Sequence, residues 1–228
     1  MMFSEFPVQG GASKLMQRVY SWMFVALALS AATAYGVANY PPISKLVFGT
    51  PLMWVIIIAQ FALVVLLSAR IEKMSYQNAV TAFVGYAFLS GITLASIFLL
   101  YTAASIALTF IICSAMFGTM AVYGYVTKAD LSSLSSVLFM GLIGLIVCSF
   151  INMFVGSNQF AFIISIFGVI IFTLLTAFDV QKIKQLGQHM LDRGEDFNKV
   201  ALLGALQLYL DFINLFLYLL QLFGKRRD

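Results

Sequence analysis

Long unbroken apolar runs, not strand-like alternation, dominate this chain of 228 residues. Seven of them approach or exceed the roughly 20 residues that an α-helix needs to cross a hydrocarbon core of about 30 Å. The runs are Val19–Ala38, Pro51–Ala69, Ala79–Leu100, Ala103–Thr127, Leu134–Met153, Phe160–Phe178 and Val200–Leu222. None has the alternation of a barrel strand. An open sheet is excluded because its edges stay unsatisfied in lipid. The expected fold class is all-α, a polytopic membrane protein of seven transmembrane helices. The expected organisation is one transmembrane domain over 19–224, an N-terminal tail over 1–18 and a basic C-terminal tail over 225–228.

Composition supports this reading. Hydrophobic residues are 62% of the chain and charged residues 10%, against roughly 45–50% and about 25% in soluble domains. So few charges do not cover a soluble surface of this size. A soluble enzyme, a nucleic-acid-binding domain and a disordered chain are excluded. Lys14, Arg18 and Ala32-Thr33-Ala34 give the first run the look of a signal peptide. Its apolar core exceeds the 7–15 residues of a signal core, and we read it as an uncleaved first helix.

The net charge of +4 reports orientation here. Lys14, Arg18, Arg70, Lys73, Lys128, Lys182, Lys184, Arg193 and Lys199 fall on one side of seven full spans. Lys45, Lys225, Arg226 and Arg227 fall on the other. The heavier side is expected to be cytoplasmic, with the N-terminus. The C-terminal basic cluster is then the one discord, and a re-entrant last segment is the alternative that removes it. Gln181 through Lys199 is expected to be an extension of the sixth helix and a turn near Gly194. Cys113 and Cys148 sit inside apolar runs and are read as reduced thiols. His189 is read as solvated, and no residues have metal-ligand spacing.

Acidic residues are scarce, so position matters. Glu5, Glu72, Asp130, Asp192, Glu195, Asp196 and Asp228 fall in tails or loops. Asp211 lies about eleven residues, or ~16 Å, into the last helix. A charge there costs about 2.5–3.5 kcal/mol on insertion scales, which packing alone does not select. Gly204, Gln207, Asp211, Asn214, Tyr218 and Gln221 form one polar stripe at helical spacing. The bland alternative is a stripe that only joins helices by hydrogen bonds. Asp179 closes the sixth run. It is either an interfacial carboxylate balancing Lys182 or Lys184, or the partner of Asp211 in an antiparallel helix pair. Two carboxyls in contact do not both ionise cheaply and share a proton, which makes a pH sensor. Arg70, closing the second run, is either an ordinary anchor or a cation that holds the ionised pair. Gln60 is a candidate pore-lining group. Tyr86, Ser90 and Thr93 share a face of the third run and read as packing residues.

The last run, with Leu208-Tyr209-Leu210-Asp211-Phe212 and Asn214-Leu215-Phe216 intact, resembles the signature of the transmembrane Bax inhibitor motif family, especially its bacterial members. Phe178-Asp179-Val180-Gln181 is similar to the family's Tyr-Asp-Thr-Gln, with Phe and Val in place of Tyr and Thr. The resemblance covers nearly the whole chain. It implies six helices around a central C-terminal seventh, and a pH-sensitive calcium leak of the bacterial inner membrane. It implies that Asp179 and Asp211 are the sensor and transient calcium site, and that Arg70 is the gating latch. Calcium is then the permeant ion and no cofactor is expected. The family also implies a second reading, a regulator that binds another membrane protein such as a protease. An intramembrane aspartyl protease would use one carboxyl as base and one as acid. The sequence argues against it, because Leu208-Tyr209-Leu210 stands where such proteases carry Gly-x-Gly and no Pro-Ala-Leu follows. No enzyme activity is expected.

Overall fold

A computed structural model describes residues 6–193 and 197–227. Eight α-helices follow one another: α1 Phe6–Asn39, α2 Pro41–Phe48, α3 Leu52–Arg70, α4 Tyr76–Leu100, α5 Ala103–Val126, α6 Ser135–Val155, α7 Asn158–Arg193 and α8 Phe197–Phe223. All but α2 are long and apolar enough to span a membrane. Among the described residues no strand is formed. The fold is all-α with seven spans, as the apolar runs require.

The helix ends differ from the apolar runs where polar residues are helical. α1 starts at Phe6, so most of the expected N-terminal tail continues the first helix. α7 runs on to Arg193, which makes the expected extension a continuous helix. The turn near Gly194, with Glu195 and Asp196, lies outside the described residues, as do Glu5 and Asp228. α2 was not expected. Pro41 and Pro42 occupy its first turn, where a missing N–H costs nothing.

Connections are closed by local chemistry. Ser75 and Thr102 accept the Asn78 and Ser105 N–H groups at the starts of α4 and α5. Gly156, at φ 66°, ends α6 in the left-handed region that glycine reaches freely. Asp130 accepts the Ser132 N–H at 2.9 Å before α6. Hydrogen bonds from Ser132 hold its carboxyl below the ordinary carboxylate range.

The chain forms two compact units. The first holds residues 1–101, 187–209 and 227–228, and the second holds 102–186 and 210–226. In the first unit α1 and α4 run parallel. Trp22 meets Phe83 edge-on at 6.0 Å, and Tyr35 meets Phe98 at 6.2 Å. Between them Gly91 lies against Ser30 and Thr33, where an added Cβ would come 2.6 Å from the Ser30 carbonyl oxygen. Helices in lipid associate by such close approach of small residues.

In the second unit α5 packs antiparallel to the second half of α8. Phe212 is flanked by the rings of Phe110 at 5.5 Å and Phe117 at 5.4 Å. The Cys113 thiol donates to the Phe212 carbonyl at 3.7 Å. Both cysteines are free thiols. Gly124 admits the backbone of Ala177 on α7. The most apolar stretch of α8 is 61% buried, against 39% or less in every other span, so α8 is the most enclosed helix.

The chain's end sits at the turn between α4 and α5. In the second unit the Thr102 N–H donates to the Lys225 carbonyl at 3.0 Å, and the Lys225 N–H donates to Ser105 Oγ at 2.9 Å. In the first unit the Arg227 N–H donates to the Leu100 carbonyl at 2.9 Å, and Arg227 Nη1 donates to the Phe98 carbonyl at 3.0 Å. A re-entrant α8 would instead return to the side of the turn between α7 and α8. α8 is long and apolar enough to cross fully, and its end at this turn is what a full crossing requires. A topology reporter fused after Asp228 should match one placed between Tyr101 and Thr102, and oppose one placed after Lys128. Agreement with the reporter after Lys128 would refute seven full crossings.

Candidate functional site

α7 and α8 meet antiparallel in the second unit, and a ladder of polar and aromatic contacts fixes their register. Ser165 Oγ donates to Gln221 Oε1 at 2.7 Å. The ring of Tyr218 lies over Gly168 and stacks on Phe172 at 5.9 Å. Further along α7 and further back along α8, Asp179 and Asp211 come together with their side chains hydrogen-bonded. Each residue is only 5% exposed. Two carboxyl oxygens form a hydrogen bond only when one group carries the proton. A pair so placed is suited to share one.

The surroundings leave one oxygen of Asp211 unsatisfied. Asp211 Oδ2 is buried and has no hydrogen-bond partner among the described residues. The same holds for Thr173 Oγ1 on α7. Thr176, which shares a face with Asp179, donates to the Phe172 carbonyl of its own helix at 2.8 Å. Lys182 is exposed and acts on Asp179 electrostatically. Lys184 is engaged elsewhere, donating to the Tyr125 carbonyl at 2.6 Å with its ammonium 4.9 Å from the Tyr125 ring centre. Gln181 bridges α7 to the segment before α6, donating to the Ala129 carbonyl at 2.8 Å and accepting the Leu131 N–H at 2.9 Å. These bonds fix the rotation of α7 next to Asp179.

The other residues of the polar stripe are less buried. Gln207, Asn214 and Tyr218 are half-buried and Gln221 is exposed. Asn214 Nδ2 donates back to the Leu210 carbonyl at 2.8 Å. In the first unit Gln60 Nε2 donates to the Leu89 carbonyl at 3.1 Å and to Thr93 Oγ1 at 3.4 Å, which joins α3 to α4. Arg70 is exposed at the end of α3 and makes no hydrogen bond or ion pair with any described residue. His189 is exposed.

One buried cluster was not anticipated as a unit. Ser30 Oγ donates to the Ala87 carbonyl at 2.7 Å and lies 2.8 Å from the Tyr209 hydroxyl. That hydroxyl donates to Ser90 Oγ at 2.7 Å. Tyr86 meets the Tyr209 ring edge-on at 5.9 Å. Three helices of the first unit thus meet at one phenol. Ser90 and Tyr86 had been read as packing residues. Ser30 gave no signal, being one small residue in an alanine-rich run.

The fold and site define a polytopic α-helical membrane protein whose last two helices bury two neighbouring carboxyls. The family described as inhibitor of apoptosis-promoting Bax1 matches residues 12–228, and the chain belongs to this Bax inhibitor family. Inner membrane protein YbhL of Escherichia coli is 46% identical over 221 residues, covering 96% of this chain and 94% of its own length. A Borreliella burgdorferi protein is 43% identical over 217 residues, 95% of this chain and 94% of its own. A Rickettsia prowazekii protein is 40% identical over 218 residues, 96% of this chain and 92% of its own.

The hydroxyl cluster yields a prediction. Tyr209→Phe removes the phenol and leaves two serine hydroxyls in lipid without it. Interhelical hydrogen bonds in membranes contribute about 0.6 kcal/mol on average and up to ~1.7. Tyr209→Phe should lower stability in detergent by about 1 kcal/mol, as read by thermal or denaturant unfolding. An unchanged unfolding midpoint would show that the cluster does not hold these helices together.

Proposed function

We propose that the protein is a pH-sensitive cation leak of the inner membrane, with calcium its expected ion, gated by protonation of Asp179 and Asp211. The observation that carries this reading is the buried carboxyl pair on α7 and α8, in which Asp211 Oδ2 has no described partner. A structural carboxyl in lipid is normally satisfied, because an unmet oxygen is costly there. One left open is suited to receive a proton or an ion.

The chemistry of the pair fits a gate. With the proton present, one carboxyl is neutral and binds a cation weakly. With the proton gone, two adjacent carboxylates repel each other and attract a divalent ion. Calcium prefers carboxylate, carbonyl and amide oxygens. The stripe of Gln207, Asn214 and Tyr218 continues from Asp211 along α8 as the candidate pore lining. Among the described residues no third His, Cys, Asp or Glu joins the pair. A site this sparse suits a permeant ion, which must leave as readily as it enters. This reading takes six helices to surround α8, as the family resemblance implies, and the N-terminus to be cytoplasmic, as the distribution of Lys and Arg favours. Arg70 is the gating latch in this reading, a cation without a described partner that responds to the charge of the pair. This reading assigns no bond-breaking chemistry to the carboxyls.

Calcium flux into dye-loaded proteoliposomes across a pH series tests the proposal. The wild type should conduct with a pH-dependent rate. Asp179→Asn and Asp211→Asn should each flatten that dependence, and the double variant should add little, since the pair titrates as a unit. Arg70→Ala should raise flux at the pH where the wild type is most closed. Single variants that keep the wild-type pH profile would overturn the gate. Cleavage of a co-reconstituted membrane peptide, lost in either aspartate variant, would make the protein a protease instead.

A further inference from the structure

The second unit carries a groove between α5, α7 and α8 that the carboxyl pair does not use. Its volume is about 420 Å³, and every side chain lining it is apolar, among them Ile112, Met116, Ile166, Ile170, Leu219 and Phe223. Pockets of small ligands span about 300–1,000 Å³ and normally contain a few polar groups. Here there are none. Ile166, Ile170 and Phe223 are exposed at its rim. All the walls belong to membrane-spanning helices.

Two cations stand just beyond that rim. α8 ends at Phe223, and Lys225 and Arg226 follow with exposed side chains that meet no described hydrogen-bond or ion-pair partner. The backbone of Lys225 is held on both sides, its carbonyl by the Thr102 N–H and its N–H by Ser105 Oγ. The cations are therefore anchored beside the start of α5. They also belong to the smaller basic group, on the membrane face that the positive-inside bias leaves unexplained.

We propose that this groove seats an acyl chain of an anionic phospholipid whose phosphate is bound by Lys225 and Arg226. An apolar groove alone accepts any lipid chain. The selection comes from the two cations, which give charge-assisted hydrogen bonds to phosphate oxygens and attract net negative lipid. The order along α8 matches the lipid. The apolar wall lies within the hydrocarbon depth, the helix ends, and the cations follow at headgroup level.

Native mass spectrometry of the full chain from micelles holding equal phosphatidylglycerol and phosphatidylcholine tests this. The wild type should retain one phosphatidylglycerol in preference to phosphatidylcholine. The double variant K225Q/R226Q should lose that preference by roughly five-fold for each cation removed. Ile170→Trp should expel the lipid while leaving both cations in place, and Ile112→Trp fills the groove from α5 should the first variant not fold. Added glycerol phosphate should fail to compete. Equal retention of the two lipids, wild-type preference in K225Q/R226Q, or displacement by glycerol phosphate would overturn the site. So would a second copy of the chain in place of the lipid, seen as a dimer that Ile170→Trp dissociates.

Discussion

A bilayer core offers a polar side chain no water, so each buried polar group must find its partner inside the protein. The interior of this molecule is organised by that constraint. Ser30, Ser90 and Tyr209 satisfy one another. Gln181 is matched to one carbonyl and one N–H. Ser165 and Gln221 close the other end of the α7 and α8 contact. Against this background Asp179 and Asp211 stand out, because both are buried and Asp211 Oδ2 has no described partner.

The same constraint joins the fold to its proposed activity. In the proposed function a shared proton neutralises part of the pair and lets two acidic residues sit side by side in lipid. Its loss puts like charges in contact, which the surroundings offset poorly. An element with two charge states and different costs for each is a device that pH biases. The Ser165–Gln221 bond and the stacking of Tyr218 on Phe172 hold α7 and α8 in register, and the bonds of Gln181 and Lys184 fix α7 against the segments beside it, so the two carboxyls meet in a fixed geometry. α8 is suited to carry the pair because it is the most enclosed span. A carboxyl on a lipid-facing helix would move toward the interface instead.

Much of this was legible in the sequence because the signals were strong. Apolar runs of membrane-spanning length mark the seven helices, and Asp211 is conspicuous because nothing apolar explains it. The helix ends were less legible. Hydropathy falls through Gln9 to Lys14, yet those residues are helical. Pro41 and Pro42 lie between the first two apolar runs, where no helix was expected, and start α2. The depth of Asp179 depended on α7 continuing past Lys184, which hydropathy does not report. The partners of the polar groups were the least legible. Gln60 looked like a pore residue, but its amide is used on α4. Ser30 gave no signal, yet it completes a buried bond. Such pairings join residues distant in sequence, and a single sequence carries no signal for them.

The central claim is that Asp179 and Asp211 share one proton within the membrane. Infrared spectroscopy of the reconstituted protein with isotope-labelled aspartate reads this directly at about pH 7, where exposed carboxyls are ionised. The account predicts one protonated-carboxyl band in the wild type, shifted or lost in both Asp179→Asn and Asp211→Asn. No such band in the wild type, or the same unshifted band in both variants, would contradict it.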